Sequence, residues 1–149
     1  MSNDMIFQIG TFLAVAGWVA LIFSPLMPRL SDVIAGYAIP GVIAVAYTGL
    51  IMAFFATAEG GFGSLDEVAQ LFQTREMLLA GWLHYLAFDL FVGAWIARKA
   101  RAEGISFWAV LPCLPLTFMF GPVGYLAFLI VRLAMQRRQG VVASEGRPT

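Results

Sequence analysis

Charge is scarce in this chain. Charged residues make up 12% of it, against about 25% in ordinary soluble domains, which is too few to cover a globular surface in water. The formal net charge is zero, with 9 Lys and Arg against 9 Asp and Glu, so no overall field points to nucleic acid or an acidic partner. There is one cysteine, Cys113, inside an apolar run. It can form no intramolecular disulfide, and with no base near it in sequence it is a poor candidate for thiol catalysis. There is also one histidine, His84. Its i, i+5 spacing to Asp89 cannot aim both side chains at one ion from a straight helix, so neither a metal nor another cofactor is expected. Gly60-Gly61-Phe62-Gly63 lacks the Lys and Ser/Thr of a phosphate-binding loop. Met1 to Met5 carries Asp4 and no Lys or Arg. That is unlike a secretory signal or a transit peptide, so the first apolar segment is expected to stay as an anchor.

What is abundant is apolar: 60% of the residues. Four stretches are long enough to cross hydrocarbon, which takes about 20 residues. They run from about 6 to 26, 33 to 56, 77 to 97 and 107 to 135. The expected fold is all-α, a small integral membrane bundle of four transmembrane helices spanning 1–135, with a polar tail over 136–149. The fourth stretch is odd. As one helix it would be about 43 Å long, against a hydrocarbon core of ~30 Å. Pro112, Pro115 and Pro122 each remove a backbone donor, and Gly121 and Gly124 add freedom. It reads as a kinked span, the alternative being two half-helices that meet at Gly121-Pro122. Freed backbone groups there need neighbouring helices, water or a hydroxyl such as that of Thr117.

The basic residues bear on that choice. Four spans put Arg98, Lys99 and Arg101 on the opposite face from Arg137, Arg138 and Arg147, which leaves the positive-inside rule without an answer. A re-entering fourth segment would instead gather Arg29, the 98–101 cluster and the tail on one face. Between the second and third spans, Ser64 and Glu67 form a capping box that predicts a short helix through Phe72. Its apolar face would be Leu65, Val68 and Phe72. Thr74 can cap the third helix, and Glu76 in its first turn suits the helix dipole. Small residues on the second and third spans permit close helix approach, and a homo-oligomer is left open.

The third span carries the chemistry. Asp89 lies two residues from its centre, within ~3 Å of the midplane along the axis. A carboxyl there costs roughly 2.5–3.5 kcal/mol on insertion scales, so it must face the bundle interior. His84 sits about 140° around the helix and ~7.5 Å along it. Tyr85 and Trp82 share Asp89's stripe, while Phe88 lies near that of His84. Two polar faces separated by aromatic bulk would accept a long apolar ligand with a polar end. The plainer alternative is that Asp89, Tyr85 and His84 hydrogen-bond to other helices.

Three stretches read together resemble a known family. They are Gly60-Gly61-Phe62-Gly63-Ser64-Leu65, the run Gly81-Trp82-Leu83-His84-Tyr85-Leu86-Ala87-Phe88-Asp89-Leu90-Phe91-Val92-Gly93, and Pro112-Cys113-Leu114 through Leu116-Thr117 to Gly121-Pro122-Val123-Gly124. In order and spacing they are similar to the neoxanthin-synthase-like, or abscisic-acid-deficient-four-like, family. The resemblance implies a four-span membrane protein tied to carotenoid metabolism; without a plastid transit sequence it looks like a bacterial, inner-membrane relative. It implies an apolar carotenoid-like ligand and an epoxide-to-allene isomerisation of a carotenoid end-group. On residue chemistry the expected catalytic groups are His84, Asp89 and Tyr85, with Trp82, Phe88, Phe91 and Thr117 binding substrate. The alternative is a carotenoid- or lipid-binding accessory protein that performs no reaction. A proton pathway or transporter is weakened because the other spans carry no ionisable residue at depth to face Asp89.

Overall fold

A computed structural model describes the backbone of residues 2–145 and the side chains of residues 2–137. Every regular element in it is helical. Helix α1 (Asn3–Ile22) starts on Ser2, whose hydroxyl accepts the Met5 N–H. After a turn, α2 (Pro28–Val33) passes through a π-helical stretch, Ile34–Ala38, into α3 (Ile39–Phe54). The wide turn has a local cause. Pro40 has no N–H for the Gly36 carbonyl and its ring crowds that oxygen. The helix accommodates it with an i, i+5 bond from the Ile39 N–H to the Ile34 carbonyl.

The loop beyond carries α4 (Leu65–Leu71), capped as expected: the Ser64 hydroxyl accepts the Glu67 N–H. The Glu67 carboxylate accepts from Gly63 N rather than from Ser64. The expected apolar face is shifted. Leu71 is buried and Phe72 packs on Gly81, whereas Leu65 is 84% exposed. Thr74 precedes α5 (Arg75–Ala102) without a capping hydrogen bond from its side chain. In that first turn Glu76 accepts a hydrogen bond from Asn3 Nδ2 at 2.8 Å.

Helix α5 is the axis of the bundle, and the core stacks along it in two layers. One holds Ala14, Ile43, Leu50, Leu71, Leu83 and Leu86. The other holds Leu21, Ala35, Leu90, Ala94, Leu114 and Phe128. Among the described residues three helical segments are long and apolar enough to cross a membrane: Asn3–Ile22, Pro28–Thr57 and Arg75–Ala102.

The fourth segment breaks where the sequence placed the break, into α6 (Phe107–Val110), α7 (Cys113–Phe120) and α8 (Pro122–Glu145), with Gly121 at φ +42°. It does not cross as a kinked span, and the expected count of four spanning helices is corrected here. Arg132 Nε and Nη2 each lie 2.6 Å from the carboxylate of Glu103, which precedes the segment. A continuous helix would put those residues about 43 Å apart. Trp95 of α5 packs on Tyr125 and Phe128 at 5.8 and 5.6 Å, and Gly121 touches Asp89. Helix α7 therefore descends to mid-depth and α8 climbs back to the face it left. The expected polar tail continues α8 as far as Glu145, and residues 146–149 lie outside the described residues.

Arg132 and Lys99 both bond the Glu103 carboxylate and hold its pKa down at about 2. A carboxyl depressed on folding adds stability above its unfolded pKa of about 4.3, and that contribution goes as pH falls toward 2. Glu103→Gln is expected to melt below wild type at neutral pH. The gap in thermal unfolding between the two chains should close across that acid window. A gap independent of pH would detach Glu103 from the hairpin's hold.

Candidate functional site

Helix α5 runs from Arg75 to Ala102, so Asp89 lies within one residue of its centre. One oxygen of its carboxylate, Oδ2, is buried without a hydrogen-bond partner. Across from it is the hairpin tip: a Cβ built on Gly121 would lie 2.6 Å from Asp89 Oδ1. Tyr85, one turn earlier on the same face, donates its hydroxyl proton to the Phe118 carbonyl at 2.7 Å. That carbonyl is free for a sequence reason. In a continuous helix its donor would be the N–H of residue 122, which is proline. The broken backbone at depth is thus satisfied by a neighbouring helix, through Tyr85.

Thr117, the other expected candidate for that duty, serves its own helix. Its hydroxyl donates to the Cys113 carbonyl at 2.8 Å, and it is fully buried against Gly124. That leaves it no surface to offer a ligand.

Gly121→Ala is expected to destabilise by about 1–3 kcal/mol, the cost of a non-glycine residue held at positive φ, with the Asp89 clash added. Thermal unfolding in detergent measures it. Adding Asp89→Ala should recover the clash and leave the backbone strain; recovery to wild type would remove the strain from the account.

The remaining predicted site residues divide between two flanks of α5. Trp82 is on the α1 side with Tyr85 (5.4 Å between rings) and Phe7 (5.5 Å), and its indole N–H donates to the Thr11 hydroxyl at 3.1 Å. His84 faces the α3 side, stacked on Phe88 at 4.5 Å and beside Tyr47 at 5.7 Å. Phe88 and Phe91 line an apolar groove of about 340 Å³ between α3 and α5. Tyr85 and Asp89 are thus brought together at the hairpin tip, and His84 is not. Among the described residues no three His, Cys, Asp or Glu side chains converge to hold a metal.

Sequence reasoning did not find a cleft that Phe118 links to this pair. About 640 Å³ of apolar space lies between α1 and the re-entrant hairpin, walled by Val15, Trp18, Ile22, Trp108, Leu111 and Phe118. Trp18 packs edge-on to Phe118 at 5.5 Å and lies over Gly93 of α5. The signal was present in part. A glycine at 93 on a buried helix face leaves room for a large ring from a neighbour, but sequence does not say which ring fills it. Phe118 joins the two features: its ring bounds the cleft and its carbonyl holds Tyr85. A carboxyl and a phenol one turn apart, separated from an apolar slot by Phe118, can exchange protons with a long apolar molecule only if its end passes that residue.

A protein-family model described as ABA4-like, ABA DEFICIENT 4-like, matches residues 5–128. This chain belongs to the ABA4-like family. The family is linked to neoxanthin synthesis in plants. No curated protein and no solved structure was found to match the chain. The ABA4-like match takes in α1 through α7, the Gly121 break and α8 as far as Phe128. It therefore contains the Tyr85–Asp89 pair and the cleft, and it stops before Arg132.

Proposed function

We propose that this ABA4-like protein is a carotenoid-handling membrane protein that isomerises a carotenoid end-group, of the epoxide-to-allene type, in a bacterial inner membrane. The observation that carries the reading is the unpartnered Asp89 oxygen at the centre of α5, one turn from Tyr85, which Phe118 links to the α1–hairpin cleft. The cleft's volume falls in the range of roughly 300–1,000 Å³ usual for ligand sites, and it would take one end of a polyene.

The reaction is redox-neutral and needs one acid and one base. In this reading the Asp89 carboxylate takes a proton from the carbon next to the epoxide. The C–H electron pair becomes the second double bond of the allene. The epoxide C–O bond breaks, and its oxygen takes the Tyr85 hydroxyl proton to become an alcohol. The proton on Asp89 then returns to Tyr85, one helical turn away. His84 addresses the opposite flank of α5, so acid and base are placed on Asp89 and Tyr85 instead.

The test is expression in a bacterial host that accumulates an epoxide-bearing carotenoid, with pigments resolved by chromatography and mass spectrometry. A product of unchanged mass but altered retention and spectrum supports the enzyme. Pigment that co-purifies unchanged points to the accessory-protein reading. An unaltered pigment profile with no pigment bound would overturn carotenoid handling.

A further inference from the structure

Next to Gly36 and Tyr37, which line the α3–α5 groove, stands a cation without an ion pair. Arg98 is half-buried, its guanidinium carbon 5.4 Å from the centre of the Tyr37 ring. Its Nη1 is packed against Gly36 and is buried without a hydrogen-bond partner. The nearby carboxylates form ion pairs with other cations, although Asp32 Oδ1 is itself buried without a partner. Asp32 pairs with Arg101 at 2.5 Å, and Glu103 is shared by Lys99 and Arg132. Among the described residues Arg98 takes part in none of the ion pairs. The π-helical turn before Pro40 brings Gly36 to this point, and only a glycine there leaves space for the guanidinium. Arg98 touches Gly36 and Tyr37 at one end of the groove, which runs on to Phe91, Phe88 and Ala44 with almost wholly apolar walls.

A desolvated guanidinium at the membrane-surface end of an apolar groove matches an anionic amphiphile. We infer that the groove binds one anionic phospholipid, its phosphate on Arg98 and an acyl chain along Phe91 and Phe88. Guanidinium suits phosphate through paired N–H donors, and its alkyl stem can follow the apolar wall. The lipid lies on the opposite flank of α5 from the α1–hairpin cleft, so it does not compete with the ligand proposed for Asp89.

The experiment is native mass spectrometry of the full chain in detergent, titrated with dioleoyl phosphatidylglycerol. Wild type is expected to hold one lipid. Arg98→Gln should bind it about tenfold more weakly, the loss of one charge-assisted contact. Because Nη1 is buried unpaired, that change should not lower the melting temperature. Ala44→Phe, an exposed position on the groove wall, should weaken binding equally by filling the channel with Arg98 intact.

Unchanged binding by both folded variants overturns the site. So does equal affinity for dioleoyl phosphatidylcholine, or displacement by millimolar inorganic phosphate, which would show that head and tail are not read together. If Arg98→Gln fails to fold, Ala44→Phe decides. The readout is lipid retention, so a failure here leaves the carotenoid reading untouched.

Discussion

Asp89→Asn is expected to reduce carotenoid conversion by about 10²–10⁴-fold, the range lost when a positioned acid or base is removed, with the protein still folded. The usual objection to such a variant, that it unfolds the chain, is weak at this position. Asp89 has a buried oxygen with no partner, and a carboxyl at bilayer depth is costly. Asparagine has nearly the same shape and no charge, so the melting temperature should hold or rise. Activity and stability then move in opposite directions, which a structural role for Asp89 would not produce. Tyr85→Phe should also lose conversion, but with some loss of stability, because the Phe118 carbonyl forfeits its donor. His84→Ala is the internal control, since its ring stacks on the other flank with Phe88 and Tyr47. It should convert within a few-fold of wild type. Full conversion by Asp89→Asn would sink the assignment, and a total loss in His84→Ala would relocate the site.

The second large effect is all-or-none. The re-entrant hairpin returns α8 to the face where α5 ends, gathering Arg29, Arg98, Lys99, Arg101, Arg132 and Arg137 there. The opposite face has Arg75, paired with Asp4, together with Glu59, Asp66, Glu67 and Glu76. Arginine and lysine within short loops set orientation in proportion to their number, and this asymmetry leaves little to balance it. The C-terminus and the 98–106 loop are expected in the cytoplasm, and the N-terminus and the Gly60–Gly63 loop outside. A fluorescent protein fused after Thr149 should glow, and alkaline phosphatase inserted in the glycine-rich loop should be active. Phosphatase activity from the C-terminal fusion would contradict the hairpin if the loop phosphatase is also active, because a full fourth span would place that end outside, and the orientation if the loop phosphatase is silent. Changing Arg98, Lys99 and Arg101 to glutamate together should produce mixed orientation.

Much of this architecture was legible in local chemistry. The three long apolar helices follow from run length alone, with ends that moved by a few residues: α1 occupies Asn3–Ile22 against the expected 6–26, and α5 extends to Ala102 against 97. Ser64 capped α4 as a capping serine should. The separation of His84 from Asp89 around α5 followed from helical geometry, and the two do face different neighbours. The α1–hairpin cleft was not legible, because Trp18 and Phe118 are 100 positions apart and meet only through packing. Nor was the unpaired state of Arg98. It depends on Asp32 having chosen Arg101 and Glu103 having chosen Lys99 and Arg132.

The third helix with its mid-depth aspartate was decided by sequence, since composition dictates the span and position dictates the depth. So was the break at Gly121-Pro122, because a missing N–H is a property of the residue itself. The direction taken after the break was not. A proline frees a carbonyl and a glycine permits φ +42°, but neither says whether the chain goes on through the membrane or turns back. Long-range contacts chose the return: Arg132 on Glu103, Phe128 against Trp95, and Tyr85 on the Phe118 carbonyl. Those contacts place Gly121 against Asp89 and every described basic side chain but Arg75 on one face, because partners distant in sequence become neighbours only when the chain is folded.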